Sequence, residues 1–441
     1  MELFFKNIQK IQFIGIGGVG ISALAKMLLN KGYSISGINN VTSKKTLQQL
    51  YDKGVDIKIG NSPKLLDKTA DLYVYSVAWH KLGPALLNKA LKTGKAKSYF
   101  EALGFFSNQM NIIAVSGTHG KTTTTAMIHA ILKQHNFNHE TIVGSILNSE
   151  GSNYVPSIKK TNYLLVEACE YKRHFLNFCP ELLVITNIEA EHLDYYKDLN
   201  DVQSAFLQLI KQTKGKKIIL NFKDKNTKPL INKLKNFTVV DYYSFLNKVP
   251  LLKVPGDHNK QNAAAALATA KTLLKNKFSY SLAKKALSNF LGTWRRFELI
   301  GKTKRGTKVY SDYAHHPTEL KATINTANKL CSPNNKIWVI FEPHTFSRVK
   351  ELADEFSTSF LKAFKVYISP VYAAREAPIK GINNKFLAKK INAKSNNAIC
   401  TDSVKNAFKD IEKLAKKGDF ILGLGAGDIH NSLLSCLQNN K

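Results

Sequence analysis

Ala114-Val115-Ser116-Gly117-Thr118-His119-Gly120-Lys121-Thr122 predicts a buried strand, a glycine turn and the start of a helix, in that order. This order is typical of α/β proteins that hold phosphate, because glycines let backbone N–H groups turn inward and a helix N-terminus is partly positive. Lys121 is expected beside the β- and γ-phosphates of ATP, and the Thr122 hydroxyl on Mg²⁺. Val115 stands where the strict motif has glycine, so the loop is a shortened variant. The loop residues predicted to contact ATP are Gly117, Thr118, His119, Gly120, Lys121, Thr122 and Thr123.

Two later strand ends offer ligands for this Mg²⁺. Glu167 follows the apolar run Leu164–Val166, and His192 lies in the polar segment after Val184–Thr186. Ligands in wound α/β sheets bind outside the carboxyl ends of the strands. A carboxylate and an imidazole delivered there suit a metal that bridges phosphate oxygens. The alternative is that both are solvated loop residues.

Apolar strands alternate with helical patterns along the chain, which is typical of parallel sheets wound with helices. The predictions are an α/β unit of about 105 residues, a second that opens at Asn111–Ser116 and a third that begins near Trp294. The other predicted strands are Ile11–Ile14, Ser34–Ile38, Ile57–Ile59, Leu72–Ser76, Tyr163–Glu167, Leu182–Thr186, Ile218–Leu220, Lys308–Ser311, Ile337–Phe341, Val366–Pro370 and Phe420–Gly423. The main predicted helices are Val19–Asn30, Ala126–Gln134 and Asn262–Leu274.

The 441-residue chain carries a net charge of +32, which raises the question of nucleic-acid binding. Only six of its 64 basic residues are arginine, and the lysines are scattered without interleaved aromatic residues. A nucleic-acid reader would use arginine for bidentate contacts to phosphate and guanine. The charge pattern therefore favours an anionic small substrate, and no nucleic-acid partner is expected.

The chain has no apolar run of the roughly 18 residues that a membrane span needs, so no membrane insertion is expected. The start of the sequence, residues 1–6, has no signal-peptide pattern. The five cysteines are far apart and form no C-x-x-C pair, so neither a zinc site nor a disulfide framework is expected. These features predict a cytoplasmic location.

A second glycine loop, Gly15-x-Gly17-Gly18-x-Gly20, follows the first predicted strand. The pattern favours a pyrophosphate in general, and a nicotinamide dinucleotide is one ligand that carries it. A nicotinamide site needs an acid at the end of the second strand, where Gly37-Ile38-Asn39-Asn40 has none. The missing acid weakens the nicotinamide interpretation, and Gly15, Gly17, Gly18, Val19 and Gly20 are expected at the diphosphate of another ligand.

The order and spacing of these motifs resemble the Mur ligases over nearly the whole chain. The matching segments beyond the two glycine loops are Glu167-Ala168-Cys169-Glu170-Tyr171, Thr186-Asn187-Ile188 with His192, Gly256-Asp257-His258-Asn259 with Asn262, Arg295-Arg296-Phe297-Glu298, Asp312–Glu319, Phe341–Arg348 and Gly423–Asp428. Each segment is weak by itself, and their shared order makes chance agreement implausible.

The resemblance implies three α/β domains. These are a Rossmann-like UDP-sugar-binding domain at 1–107, a central phosphate-loop ATPase domain at 108–293 and a Rossmann-like amino-acid-binding domain at 294–441. It implies an ATP-dependent acid–amino-acid ligase that acts in peptidoglycan precursor synthesis. The lactyl carboxylate of UDP-N-acetylmuramate would attack the γ-phosphate of ATP, and the amine of L-alanine would then displace phosphate from the acyl phosphate.

The resemblance also implies roles for single residues. The implied catalytic residues are Lys121, Glu167, His192, Asn262 and Arg296; the implied Mg²⁺ ligands are Thr122, Glu167 and His192. Asn259, Asn262, Arg296 and Asp312 would complete the ATP site, while His316, His344, Arg348 and Arg375 would hold the muramoyl group and the amino acid. In a chain that otherwise uses lysine, five of six arginines fall in or near these motifs, and a planar guanidinium suits carboxylate and phosphate.

Three departures from the family pattern and three alternatives stay open. Asn39 stands where aspartate is usual, Cys169 replaces an aspartate and Glu191 precedes His192 in place of aspartate. The alternatives are a relative that joins the UDP-sugar to a recycled peptide, a nucleotide-gated regulatory protein without turnover, and a nucleic-acid-dependent ATPase. The expected oligomeric state is a monomer or a homodimer.

Overall fold

The computed structural model describes residues 8–41, 46–374 and 376–438. These residues divide into two compact units, one within Met1–Lys253 and Lys260–Leu291, the other within Val254–Asn259 and Gly292–Lys441. They form three sheets, two in the first unit and one in the second. The predicted α/β class is confirmed, whereas the domain boundaries after residues 107 and 293 stay predictions.

The first sheet has the strand order β3-β2-β1-β4-β5, and all its strand pairs are parallel. The order reverses beside β1, so the first glycine loop leaves β1 at the switch point where wound sheets bind ligands. This confirms the Rossmann-like expectation. Its elements are β1 (Lys10–Ile14), α1 (Val19–Asn30), β2 (Ser34–Asn39), α2 (Gln48–Tyr51), β3 (Asp56–Ile59), β4 (Leu72–Tyr75), α3 (Trp79–Leu82), α4 (Pro84–Lys92), β5 (Ala96–Ser98) and α5 (Tyr99–Ser107).

The second sheet has the strand order β12-β11-β10-β6-β9-β7-β8, in which only the β7–β8 hairpin is antiparallel among the described strands. Strand β6 lies between β9 and β10, so the ends of these three strands meet at one edge. Its elements are β6 (Asn111–Ser116), α6 (Lys121–Gln134), β7 (Glu140–Leu147), β8 (Ser152–Val155), β9 (Tyr163–Glu167), β10 (Leu182–Ile185), α7 (Leu199–Lys211), β11 (Lys217–Leu220), α8 (Lys228–Ile231), β12 (Thr238–Asp241), α9 (Asp257–Leu274) and α10 (Tyr280–Ser288).

Two predicted helices begin earlier than expected. Helix α6 starts at Lys121 rather than Ala126, so its four threonines lie in the first turns of the helix; three of their hydroxyls bond to Glu167 (Thr122), to Asn262 (Thr124) and to the Lys121 carbonyl (Thr125, 2.8 Å). Helix α9 starts at Asp257 rather than Asn262, directly after a glycine turn. The early start of α6 brings its N-terminus, which is partly positive, to the phosphate loop.

The third sheet has the strand order β13-β14-β18-β15-β16-β17, with β13 antiparallel to β14 and the other pairs parallel. The antiparallel strands β8 and β13 were not predicted, and both lie at sheet edges. The elements of this unit are β13 (Glu298–Lys302), β14 (Lys308–Asp312), α11 (Pro317–Leu330), β15 (Ile337–Phe341), α12 (Phe346–Glu351), α13 (Ala353–Ser357), β16 (Lys365–Ile368), α14 (Asn384–Ser395), β17 (Ala398–Cys400), α15 (Val404–Leu414), β18 (Phe420–Leu424) and α16 (Ile429–Gln438).

One apolar cluster runs through both sheets of the first unit. It includes Phe13 of β1, Ala114 of β6 and Leu183 of β10, all fully buried. A shared core of this kind holds the two glycine loops on one packed body. Among the helices of the described residues, none combines the length and apolarity that a membrane crossing requires.

Candidate functional site

The loop Gly117–Thr122 joins the carboxyl end of β6 to the first turn of α6. Gly117 and Gly120 have φ values of +131° and +82°, which L side chains rarely adopt. A Cβ on Gly117 would overlap the Thr186 hydroxyl, and a Cβ on Gly120 would overlap the side-chain oxygen of Asn262. Both glycines are therefore required by backbone angle and by close packing.

Two residues that follow β10 hold this loop in shape. The His119 N–H donates to Oδ1 of Asn187 at 2.9 Å, and Nδ2 of Asn187 donates to the His119 carbonyl at 3.0 Å. The Thr186 hydroxyl donates to the same carbonyl at 2.6 Å. The Tyr242 hydroxyl in turn donates to the Thr186 carbonyl. The neighbouring strand therefore sets the loop conformation.

Lys121 lies folded over its own loop. Its ammonium donates to the carbonyls of Gly117 at 2.5 Å and Thr118 at 2.9 Å, and it pairs with Glu170 at 2.9 Å. Burial lowers the pKa of Lys121, but the charge and hydrogen bond of Glu170, with the charge of Glu167, together outweigh burial, so the pKa lies above its usual value. The ammonium is therefore charged and sits where a phosphate would replace loop carbonyls as its partner.

Glu170 is the residue at this site whose role the sequence did not reveal. Only 2% of it is exposed, and its carboxylate lies 3.5 Å from Nε2 of His192 as well as against Lys121. Burial raises the pKa of Glu170, but the neighbouring Lys121 and His192 lower it by more. The pKa of Glu170 is therefore about 2, below its usual value. Its position three residues after Glu167, within the motif Glu167–Tyr171, was the sequence feature that could have indicated a role at this site.

Glu167 and Thr122 are brought together as expected. The Thr122 hydroxyl lies 3.0 Å from both carboxylate oxygens of Glu167, and the Gly144 N–H donates to Oε2 at 2.8 Å. His192 contacts Glu170 instead of this pair. Glu170, Glu191 and His192 each offer a donor atom, and these atoms all lie within 4.8 Å of one another.

Asn262 and Thr118, two predicted ATP contacts, also lie in the first unit, as does Cys169, which departs from the family pattern. Oδ1 of Asn262 accepts a hydrogen bond from the Thr124 hydroxyl at 3.2 Å, next to Gly120. The Glu189 N–H donates to the Thr118 hydroxyl at 2.8 Å. Burial raises the pKa of the Cys169 thiol to about 12, so this replacement for aspartate is neutral.

The first glycine loop has neutral neighbours. Gly15 has a φ of +81°, and a Cβ there would overlap the indole of Trp79. A Cβ on Gly20 would overlap the ring of Tyr99. Gly18 is the N-cap of α1 and, as a glycine, offers no side chain to cap the first N–H groups of the helix. The helix therefore begins with backbone N–H groups at the loop, as a diphosphate site requires.

Asn39, the departure at the end of β2, has a structural task. It is 1% exposed, its Oδ1 accepts from the Gly17 N–H at 3.3 Å, and its Nδ2 donates to the Val41 carbonyl at 2.8 Å. The Thr46 hydroxyl donates to the Gly17 carbonyl at 2.8 Å. Asn39 therefore holds the glycine loop.

Arg296 and Asp312 belong to the second unit. The guanidinium of Arg296 lies over the ring of Tyr313 and 3.9 Å from Glu319. Asp312 accepts the N–H groups of Phe297 and of residue 314, both at 2.7 Å. Burial raises the pKa of Asp312 to about 6, against the opposing charge of Arg296. The carboxyl group thus fixes the backbone beside Arg296.

Of the predicted substrate residues in this unit, His316 caps a helix, whereas His344 and Arg348 contact each other. His316 caps α11 in a capping box with Glu319, which is a structural role. His344 lies 3.3 Å from Arg348 and stacks on Tyr372. Asn259, an expected ATP contact, donates from its side-chain amide to the Pro255 carbonyl at 2.8 Å. The predicted substrate residue Arg375 lies outside the described residues.

Three family descriptions match in chain order. Residues 10–110 match "Mur ligase family, catalytic domain", residues 115–249 match "Mur ligase middle domain", and residues 295–427 match "Mur ligase, glutamate ligase domain". The chain belongs to the Mur ligase family. The N-terminal, central and C-terminal parts of this Mur ligase are thereby confirmed.

Relatives match the Mur ligase over nearly its whole length. It is 38% identical to the UDP-N-acetylmuramate–L-alanine ligase of Caldicellulosiruptor bescii (97% of this chain, 98% of the relative) and 36% identical to that of Clostridium tetani, with the same coverage. A crystal structure of UDP-N-acetylmuramate-alanine ligase MurC from Thermotoga maritima matches with a TM-score of 0.78, 26% identity and 98% of both chains. A murein peptide ligase from Psychrobacter arcticus shares the fold, with a TM-score of 0.71, 23% identity, 98% of this chain and 99% of that one.

Proposed function

We propose that this Mur ligase uses ATP to join L-alanine to the lactyl carboxylate of UDP-N-acetylmuramate, with ADP and phosphate as the other products. The observation that carries the proposal is the charged cluster of Lys121, Glu167, Glu170 and His192 around a phosphate loop. The full-length likeness to relatives named for this reaction selects the substrates.

A carboxylate is a poor acyl donor because its leaving group would be oxide. In the first step a lactyl oxygen attacks the γ-phosphorus, the bond from that phosphorus to the bridging oxygen breaks, and ADP leaves. In the second step the neutral amine attacks the acyl carbon and loses a proton, and inorganic phosphate leaves. Both steps depend on neutralising and aligning phosphate charge, which is the task of cations and backbone donors.

Lys121 supplies that positive charge at the β- and γ-phosphates. Its present partners, two loop carbonyls and Glu170, hold the ammonium at the loop without a ligand's help. We assign Gly117–Thr123 and Asn262 to ATP as well. The ATP roles of Asn259, Arg296 and Asp312, all of the second unit, rest on the family resemblance.

Mg²⁺ is part of the proposal because the donors at the loop fit it. Thr122 and Glu167 present oxygen atoms 3.0 Å apart, and magnesium prefers oxygen ligands. His192, with Glu170 and Glu191 beside it, forms a second group of donors. When bound, the ion would neutralise phosphate oxygens; the residues that would hold it are Thr122, Glu167 and His192.

The remaining assignments concern the other substrates and the setting. The first glycine loop, Gly15–Gly20, would hold the UDP diphosphate through backbone N–H groups. His316, His344, Arg348 and Arg375 would hold the muramoyl group and the amino acid. We also propose the domain boundaries after residues 107 and 293, a cytoplasmic location, and a monomer or homodimer without nucleic-acid partners.

The test is phosphate release by the full chain with ATP, Mg²⁺ and UDP-N-acetylmuramate, with amino acids and a muramyl peptide added one at a time. We expect release that requires L-alanine, together with a UDP-linked product heavier by one alanine residue. Removal of Mg²⁺ by a chelator should abolish release, and added Mg²⁺ should restore it.

Other outcomes would identify the alternatives. Release driven by the peptide but not by L-alanine would mean the peptide-joining relative. Release without any amino acid, or only with a polynucleotide, would overturn the ligase assignment. Nucleotide binding without release under all conditions would indicate a regulatory protein.

A further inference from the structure

The β7–β8 hairpin carries a buried polar group against helix α1. Asn153 of β8 is fully buried, and its Nδ2 donates to the Val19 carbonyl at 2.5 Å and to the Ser22 hydroxyl at 2.9 Å. Its Oδ1 accepts from the ammonium of Lys26 at 2.8 Å. One amide therefore contacts two residues in the first turn of α1 and a third, Lys26, further along the helix.

Lys26 fixes which way this amide faces. An ammonium can only donate, so the oxygen of Asn153 must lie toward Lys26 and its NH₂ toward Val19 and Ser22. Lys26 is 5% exposed, and burial, assisted by the charge of Lys53, lowers its pKa to about 8. A buried cation is costly unless it is hydrogen-bonded, so the contact with Asn153 is one that the fold depends on.

The contacted turn is the start of the helix that follows the first glycine loop. Val19 is the first residue of α1 and Ser22 lies in the same turn, where its hydroxyl donates to the Val19 carbonyl at 2.9 Å. Asn153 therefore adds, from a strand of another sheet, a second side-chain donor to the Val19 carbonyl at this helix start.

The same hairpin also contacts Glu167, the carboxylate at the end of β9 that lies beside the phosphate loop. Strand β7 pairs with β9, and the Gly144 N–H of β7 donates to Oε2 of Glu167 at 2.8 Å. One hairpin thus contacts the start of α1 through Asn153 and the proposed Mg²⁺ ligand through Gly144.

We propose that Asn153 is a positioning residue. It holds the first turn of α1 in the geometry that binds the UDP-sugar diphosphate, and it links that turn to the β7–β8 hairpin, which also contacts Glu167. This inference rests on the proposed function, because that function places the diphosphate at the start of α1. Asn153 does not touch the diphosphate; it acts through the backbone of Val19.

A purely structural role would predict lower stability without a substrate preference, and Tyr154 provides the matched control. Tyr154 is the next residue of β8, and its hydroxyl accepts from Nδ2 of Asn30 at 3.3 Å and donates to Glu140 at 3.2 Å. Tyr154→Phe therefore removes a buried contact of the same hairpin at the other end of α1.

The experiment measures binding of UDP-N-acetylmuramate and of ADP by calorimetry, together with both KM values, for the wild type and four variants. Asn153→Ala and Asn153→Asp should weaken UDP-N-acetylmuramate binding about tenfold, since a lost buried hydrogen bond has effects of this order, with ADP binding changed less than about twofold. Asn153→Asp keeps an oxygen for Lys26 and loses the donor to Val19. Asn153→Ala/Lys26→Met removes the unpaired ammonium, so it should recover thermal stability without recovering UDP-sugar binding.

Tyr154→Phe should leave both affinities at wild-type values. Equal losses for the two ligands in the Asn153 variants, or wild-type UDP-sugar binding in Asn153→Ala, would overturn the inference. A wild type that binds UDP-N-acetylmuramate with variants that bind equally well refutes the positioning role alone. A wild type that does not bind UDP-N-acetylmuramate refutes the proposed function as well.

Discussion

The two glycine loops of the first unit have the same backbone plan and different neighbours. Each leaves a central parallel strand through a glycine of positive φ, Gly15 at +81° and Gly117 at +131°, and enters a helix. Asn39, Trp79 and Tyr99 surround the first loop. Charged side chains surround the second, foremost the buried ion pair of its own lysine.

The different neighbours suit the two loops to different tasks: binding an intact phosphate group, and transferring a phosphoryl group. Backbone N–H groups and a helix N-terminus are enough to hold a phosphate group that stays intact. A transferred phosphoryl group requires charges that stabilise the transition state. Under the proposed function, Lys121 would provide such a positive charge at the second loop, and Thr122 and Glu167 would hold a Mg²⁺ that adds to it. Among the described residues, those that pack directly against the first loop, Asn39, Trp79 and Tyr99, are neutral, which suits a diphosphate that the reaction leaves unchanged.

The largest expected effect comes from removing the charge of the second loop. Lys121→Ala should lower kcat by about a thousandfold or more, since one stabilising donor alone is worth a hundred- to thousandfold. Binding of UDP-N-acetylmuramate should stay within about twofold of the wild type, because the first loop uses other groups. Phosphate release and calorimetry measure the two quantities.

The control addresses stability, because Lys121→Ala leaves Glu170 buried without its main partner. Breaking such a pair costs about 3–5 kcal/mol, so the variant should melt at a lower temperature. Lys121→Ala/Glu170→Gln should regain melting temperature and remain inactive. If this folded double variant had lost UDP-sugar binding too, the two loops would not have the separate tasks assigned here.

The next largest effect compares the two loops directly. Gly15→Ala and Gly120→Ala impose the same backbone strain, about 1–2 kcal/mol for an L residue in this region, plus local overlap. We expect Gly15→Ala to raise KM for UDP-N-acetylmuramate about tenfold and Gly120→Ala to raise KM for ATP by a similar factor. In each case the KM for the other substrate should change little.

Gly94 offers a control for strain itself. It has a φ of +72°, lies before β5, and a Cβ there would meet nothing within 4 Å. Gly94→Ala should lower stability and leave both KM values unchanged. A rise in both KM values from either loop variant would show that strain spreads through the unit and that the loops are not independent.

Much of the fold was predictable from hydrophobic pattern. Asn111–Ser116 and Ile337–Phe341 are strands with the predicted bounds, because each is an apolar run buried on both faces. The edge strand β3 was predicted at Ile57–Ile59, whereas the edge strands β5, β8, β12, β13 and β17 were missed, as was β7 beside β8. Strand β8, Ser152–Val155, has only a short apolar end, and its pairing depends on β7.

The site was predictable where a motif fixes local geometry and less so where partners come from elsewhere. Thr122 and Glu167 meet because parallel strands bring their carboxyl ends to one edge. Glu170 was overlooked, since its value lies in a buried pairing with Lys121 across 49 residues of sequence. Asn39 departs from the family pattern, and only the structure gives its task.

The smallest expected effect tests whether each loop is held by its own threonine. The Thr46 hydroxyl donates to the Gly17 carbonyl at 2.8 Å, and the Thr186 hydroxyl donates to the His119 carbonyl at 2.6 Å. Valine has nearly the same shape and lacks the donor, so each Thr→Val change should cost about 1 kcal/mol. We expect Thr46→Val to raise only the KM for UDP-N-acetylmuramate and Thr186→Val only the KM for ATP, each by about two- to fivefold. Steady-state kinetics with one substrate varied at a time can resolve such changes. A Thr46→Val variant whose KM rose for ATP instead would contradict the division of tasks, because that hydroxyl touches the first loop alone among the contacts described here.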